Sequence, residues 1–286
     1  MAERLQKILA SAGLGSRREC EELILQGRVR VNRKRVDQLP VLVDPDTDKI
    51  QVDGRAIRLE RKVYYLLNKP KGVLCTQRDP AGRRRAVDLL ADVPERVYPV
   101  GRLDADSQGM VLLTNDGELA AGLTHPRYGV PKTYRARVKG RMSGEVLEKL
   151  RQGIWLSEGK TQPARVRLTY RSRDHSALEI TLREGRNRQV RRMLAKLGHP
   201  VRELTRIRIG RLSLRGLGVG RYRPLQPAEV KALQDLVARS SEKTLASRSG
   251  SNKPAKTAQT AKRRRPTKKT PQARRANALP RKRKRR

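Results

Sequence analysis

Gly101-Arg102-Leu103-Asp104-Ala105-Asp106-Ser107-Gln108-Gly109-Met110-Val111-Leu112-Leu113-Thr114-Asn115-Asp116-Gly117 places two carboxylates in a glycine-bracketed loop directly before an apolar strand. The stretch stands in a chain of net charge +40. A chain this basic is built to approach a polyanion, so acidic groups on its binding face are unexpected. The residues alone leave two readings open. Aspartate bends turns readily, because its side chain hydrogen-bonds its own backbone two residues on, and Asp104 and Asp106 would then only shape the loop. Alternatively Asp104, two residues from Arg102 and just ahead of a strand where solvent is scarce, carries chemistry.

The charge around this loop narrows the partners. At 286 residues the chain accommodates two domains. Of its 68 Lys and Arg, 18 lie in residues 241–286 beside a single Glu, so residues 1–240 keep 50 basic against 27 acidic residues and a net +23. The basic character is therefore a property of the body, and it points to nucleic acid, because each Lys or Arg that meets a phosphate releases counterions. No apolar run approaches the roughly 18 residues of a membrane span, and the N-terminus has no signal-peptide pattern. A soluble cytoplasmic protein that avoids membranes is expected.

The inventory excludes other chemistries. Cys20 and Cys75 stand far apart, and His125, His175 and His199 have no ligand spacing, so a zinc site is not expected. Neither a Walker loop nor a dinucleotide-type glycine fingerprint is present. Aromatic residues make up 3% and Phe is absent, which argues against an RNA binder built on stacking platforms. RNA would be met mainly by charge and shape.

Residues 1–60 read as a compact module. Leu5, Ile8, Leu9 and Ala12 recur at helical spacing and end near Gly13 and Gly15. Ser16 opens a second helix with Glu19 three positions on, a capping box, and Gly27 fits the left-handed position after its last turn. Val29 and Val31 alternate with Arg28 and Arg30 as a half-buried strand does, and Ile50 and Val52 lead into Asp53-Gly54, a hairpin signal. Arg17 and Arg18 oppose the helix dipole, yet together with the free amides of a first turn they form an anion site. Ser16-Arg17-Arg18-Glu19-Cys20-Glu21-Glu22-Leu23-Ile24 and Gly27-Arg28-Val29-Arg30-Val31-Asn32 resemble the small RNA-binding module named after ribosomal protein S4. That module usually has Asn-Gly where this chain has Asn32-Arg33, so a longer or strained turn is expected there.

Residues 61–240 change pattern. Val63-Tyr64-Tyr65-Leu66-Leu67 reads as a buried strand leading into the cationic turn Asn68-Lys69-Pro70-Lys71-Gly72. Residues 134–138, 164–170 and 178–182 alternate apolar residues with polar ones, largely arginine, as strands with one buried face. Helices are expected over Glu145–Gln152, Arg188–Leu197 and Ala228–Ala238, the last opened by Pro227. Strands and helices without strict alternation indicate an α+β fold with a mixed, mainly antiparallel sheet. Beyond residue 240 apolar residues give way to Ser, Thr, Lys, Arg, Pro and Ala, and residues 241–286 read as a disordered Lys/Arg-rich tail adding sequence-independent RNA affinity.

Three separated segments hold the candidate chemistry: the Asp104 loop, Lys132-Thr133-Tyr134, and Glu184-Gly185-Arg186-Asn187-Arg188-Gln189-Val190-Arg191-Arg192-Met193. On a helical wheel Val190, Met193, Leu194 and Leu197 form the apolar stripe and Arg192 faces away from it, toward solvent or RNA. Arg191 lies at the border of the buried side, where a guanidinium either holds a carboxylate ionised or snorkels to water.

In order and spacing these segments resemble the pseudouridine synthases of the ribosomal small-subunit/large-subunit (RsuA) type, over roughly residues 3–240. Gly-Arg-Leu-Asp before an apolar run and Thr-Asn-Asp-Gly, and Glu-Gly-Arg-Asn-Arg-Gln-Val-Arg-Arg-Met before Gly198-His199-Pro200, carry the resemblance. Asn68-Lys69-Pro70-Lys71-Gly72 and Pro99-Val100-Gly101-Arg102 look most like the large-subunit synthase B branch. The resemblance implies cleavage of the uracil N1–C1′ bond, rotation of the base and reattachment through C5, without cofactor or metal. It makes Asp104 the catalytic carboxylate, either attacking C1′ or stabilising and deprotonating the sugar, with Arg191 as its partner and Tyr134 stacking on the flipped uracil. Arg17, Arg18, Arg28, Arg30, Arg102, Lys132, Arg186, Arg188 and Arg192 would contact RNA, and Asp106 would remain a turn residue. The implied partner is ribosomal RNA, 23S in the first instance and small-subunit RNA in the second, met by a monomer. A non-catalytic RNA-binding assembly factor that keeps the fold is the rival from another class.

Overall fold

The alternating segments become three adjacent antiparallel strands, Arg165–Arg171, His175–Leu182 and Lys132–Lys139, in the computed structural model, which describes residues 2–249, with side chains through residue 242. They form one flank of a nine-stranded sheet. Its order continues through Val201–Ile209, Gln108–Thr114, Tyr64–Lys69 and Tyr222–Pro224, with Leu212–Ser213 and Tyr98–Val100 as side pairs. One pairing in this sheet is parallel: Thr205 lies beside Gln108 and Arg206 beside Gly109. That seam joins the two flanks, and it depends on a residue without a side chain. A Cβ at Gly109 would sit 2.4 Å from the Arg206 carbonyl oxygen, and Gly109 has φ +111°.

Each flank has its own core because each strand turns its apolar alternates inward. Ala136, Val138, Leu178 and Ile180 pack with Leu150 of the helix Gly144–Gln152 and with Met193 and Leu194 of the helix Gln189–Lys196. Across the seam, Leu66, Met110 and Leu112 pack with Leu119 and Leu123 of the helix Gly117–Thr124 and with Leu233 of the helix Pro227–Ser249. Met193 and Leu194 are fully buried, each stabilising the fold by about 1.5–3 kcal/mol. The expected helices are present with shifted ends. The last runs on to Ser249, well past Ala238. From residue 250 onward the expected disordered tail lies outside the described residues.

The N-terminal module forms as its sequence requires. Helices Leu5–Ser11 and Arg17–Leu25 pack together over Leu5, Leu9, Cys20 and Ile24. Ser16 closes the capping box, donating its N–H to Glu19 Oε2 at 2.6 Å and accepting the Glu19 N–H at 3.2 Å. Strands Val29–Val31, Lys34–Val36, Ile50–Val52 and Arg55–Ala56 form a small antiparallel sheet. Val31 pairs with Lys34, so the turn is two residues long, with φ of 50° at Asn32 and 69° at Arg33. Of the two expected outcomes, strain is the one found. Asn32 is held by its side chain, donating to Asp48 Oδ1 at 2.7 Å and accepting the Lys49 N–H at 3.0 Å, whereas Arg33 adopts the left-handed region with no such help. The module meets the larger domain through Lys7–Glu118 at 3.1 Å and Arg78–Glu19 at 2.5 Å.

Candidate active site

The three segments that the sequence keeps apart converge on one cleft of about 410 Å³, lined by Arg102, Asp104, Lys132, Tyr134, Arg188 and Arg206, among others. Two larger cavities lie elsewhere, between the N-terminal module and the larger domain and beneath the C-terminal helix; the Asp104 loop lines neither. Asp104 stands on the loop between Val100 and Gln108, which backbone hydrogen bonds fasten. Ser107 N–H donates to the Asp104 carbonyl at 3.1 Å, and Gly72 N–H donates to the Ala105 carbonyl at 2.7 Å. The cationic turn at 68–72 is thereby tied to the loop that carries the carboxylate.

The arginine assignments around Asp104 need one correction. Arg191 does not pair with Asp104; it grips the loop from behind. Its Nη2 donates to the Asp106 carbonyl at 3.1 Å and to Ser107 Oγ at 3.3 Å and lies 3.3 Å from Asp106 Oδ2, while Nη1 donates to the Val201 carbonyl at 3.3 Å. The guanidinium that reaches Asp104 is Arg188, with Nη1 at 3.3 Å from Oδ2; it also donates to Asp106 Oδ2 at 2.9 Å. The reason is local. Arg188 caps the helix Gln189–Lys196 in a left-handed conformation, φ 45°, outside the helical wheel, while Arg191 sits in the first turn. Asp106 is thus more than a turn residue: its hydrogen bond from Arg188, with the charge of Arg191 added, holds its carboxyl below the usual carboxylate range.

Tyr134 and Lys132 share one strand face, as expected, and line the cleft. Burial, and then the charge of Arg206, pushes the Lys132 ammonium down to about 8. The charged form is disfavoured in the folded chain relative to the usual 10.5, so this group contributes a stability that rises with pH between those values. Arg102 is exposed at the rim of the cleft.

Other expected RNA contacts have different employment. Arg186 donates to the carbonyls of Gly159 and Lys160, both at 2.6 Å, and to Glu184 at 3.2 Å, so its donors face the chain and not a phosphate. Arg192 pairs with Glu158 and donates to Ser157 Oγ at 2.8 Å, where solvent or RNA was expected. Both fasten the hairpin of Trp155–Leu156 and Gly159–Lys160, a long-range contact no helical wheel contains. Arg28 pairs with Asp53 across the small sheet, Nε to Oδ1 at 2.9 Å. Arg17, Arg18 and Arg30 are exposed, and Arg17 borders the cavity between the two domains.

Two cations escaped the sequence reading. Arg206 is 2% exposed, and its Nε donates to the Met110 carbonyl at 2.8 Å. Lys69 is fully buried, donating to the carbonyls of Pro70 and Val73, both at 2.8 Å; burial lowers its pKa against the opposing pull of Asp104 and Asp106. A signal for Arg206 exists in residues 204–209, where Leu204, Arg206 and Ile209 are the inward positions of a strand the sequence reading did not draw. Among the described residues no cluster of three or more His, Cys, Asp or Glu is arranged to hold a metal, and no helix is long and apolar enough to cross a membrane.

A carboxylate on a tight loop thus shares one cleft with Tyr134 and with the cations Lys132, Arg188 and Arg206, beside the seam of the sheet. Residues 63–196 match the RNA pseudouridylate synthase family and residues 3–48 the S4 domain. The chain is 49% identical over 236 residues to the ribosomal large subunit pseudouridine synthase B of Bacillus subtilis, covering 82% of this chain and 96% of that one. It is 39% identical over 246 residues to the protein of the same name from Haemophilus influenzae, covering 82% and 68%. Among solved structures, a pseudouridylate synthase crystal structure superposes with a TM-score of 0.59 at 30% identity, covering 80% of this chain and 99% of that one. The chain belongs to the RNA pseudouridine synthase family of the RsuA type, an S4 domain followed by a catalytic domain, and is a pseudouridine synthase.

Proposed function

We propose that this protein isomerises a uridine of the large ribosomal RNA to pseudouridine, with Asp104 as the carboxylate that acts on the ribose. The observation that carries the reading is the placement of Asp104 in the same cleft as Tyr134 and Lys132, with Arg188 at 3.3 Å. A target uridine must leave its stack to reach such a cleft. Tyr134 then offers a ring face to the extruded uracil, Arg102 and Lys132 meet the flanking phosphates, and Arg188, 3.3 Å from Asp104 Oδ2, orients the carboxylate for attack or proton removal at the sugar. Arg191 serves as a positioning residue, setting the loop through Asp106 and Ser107. Arg18 and Arg30 of the S4 domain anchor structured RNA. Large-subunit RNA is favoured because two relatives that match along most of the described chain carry that name. On this reading the protein acts as a monomer in the cytoplasm, without cofactor.

Asp104→Asn tests the reading. Pseudouridine formation on ribosomal RNA is expected to vanish while RNA affinity stays within a few-fold of the parent. Turnover preserved in that variant would remove Asp104 from the mechanism. Mapping pseudouridines in large- and small-subunit RNA from cells lacking the protein decides the substrate.

A further inference from the structure

One lateral row of the sheet runs Lys69, Gly109, Arg206, Tyr134 and Ile180, each paired with the next across adjacent strands. Residues paired across strands project from the same face, with Cβ atoms about 5 Å apart. Arg206 and Tyr134 are thus immediate neighbours, and both line the cleft. Gly109 adds no side chain between Arg206 and Lys69.

The hydrogen bonding of Arg206 is incomplete. Its Nε is satisfied by the Met110 carbonyl, but its terminal nitrogens have no hydrogen-bond partner, and Nη2 is buried without one. A guanidinium buried with unused donors is costly, and native structures rarely keep one without cause. On the cleft side a bound substrate can supply the missing acceptors.

We infer that Arg206 is a catalytic residue: its free guanidinium nitrogens donate to the carbonyl oxygens of the extruded uracil and stabilise the negative charge the base acquires as its N1–C1′ bond breaks. The inference rests on the reading of Asp104 above. When that bond breaks, its electron pair stays with the base and spreads from N1 onto O2 and O4, while C1′ becomes electron-poor beside Asp104. After rotation the base returns a pair from C5 to C1′, C5 loses its proton and N1 gains one. Arg206 transfers no proton; its 2% exposed side chain holds charge where charge develops, and such fixed, buried donors act more strongly than solvated ones. A fixed cation at this spot also adds to burial, the larger cause, in lowering the Lys132 ammonium beside it.

The test separates leaving-group stabilisation from structural support. Arg206→Lys and Arg206→Gln are compared with the parent in single-turnover glycosidic cleavage on RNA bearing uridine or 5-fluorouridine at the target. The fluorinated base departs more easily, so the rate loss, roughly 100-fold on uridine, is expected to shrink at least ~10-fold on 5-fluorouridine, with less loss for lysine than for glutamine. Equal losses on both substrates, or no loss on uridine, overturn the inference. Should neither variant fold, parent enzyme on 4-thiouridine and 2-thiouridine RNA answers instead. Sulfur accepts hydrogen bonds poorly but departs well with the base, so a slower reaction at one position supports the contact and none at either refutes it. Asp104→Asn is run alongside. Its inactivity on both bases upholds the Asp104 reading even where Arg206 fails, and its activity would fell that reading separately.

Discussion

Arginine is used in opposite ways in the two domains. In the S4 domain Arg18 and Arg30 stand in solvent, without an ion pair among the described residues, on elements whose fold does not need them. In the larger domain Arg191, behind the Asp104 loop, and Arg206, in the cleft, are buried or nearly so and spend donors on backbone carbonyls of the loop and the seam. Exposed cations confer affinity that salt erodes, because counterions return when binding is lost. Buried ones are screened far less and act on local chemistry. On the proposed reading, overall charge brings the protein to RNA, and the few hidden cations act on the chemistry done there.

The contrast can be broken most forcefully at the seam. Gly109→Ala is expected to destabilise the protein by ~3 kcal/mol or more, because the new Cβ meets the Arg206 backbone and an L-residue is strained at φ +111°. Urea unfolding measures it, and a loss below about 1 kcal/mol would mean the two flanks are joined more loosely than described. An intermediate effect belongs to the S4 surface. The double change Arg18→Ala with Arg30→Ala is expected to lower the slope of log affinity against log salt by about 1.5, two phosphate contacts' worth, with turnover at saturating RNA unchanged. An unaltered slope would take RNA anchoring away from these residues. The smallest effect is at the strained turn. Arg33→Gly removes the left-handed penalty of the side chain and is expected to stabilise the protein by ~1 kcal/mol, read as a higher melting temperature. A decrease would show that the Arg33 side chain contributes more than its backbone strain costs.

Much of the architecture was legible because it follows from local pattern. The capping box at Ser16 and Glu19, the alternation through 134–138 and 178–182, and Pro227 at a helix start all depend on neighbours within a few residues, and each appears where expected. The partners of the arginines were not legible. The helical wheel leaves Arg191 open between a carboxylate and water, and neither it nor the resemblance that pairs Arg191 with Asp104 holds information on the depth of a loop more than 80 residues away. Arg186 and Arg192, both taken for RNA contacts, are occupied by the hairpin at Trp155–Lys160. Arg206 stands on a strand that the sequence pattern left undrawn, and a lone arginine in a basic chain draws no notice.

The sequence by itself determined the elements, the two domains and the residue types of the site, since periodicity, caps and motif spacing act over short stretches of chain. Only the tertiary structure decided which guanidinium faces Asp104, which fastens its loop and which is left with unused donors under the cleft. Those outcomes depend on burial and on strand pairing across the Gly109–Arg206 seam, where residues nearly a hundred positions apart become neighbours.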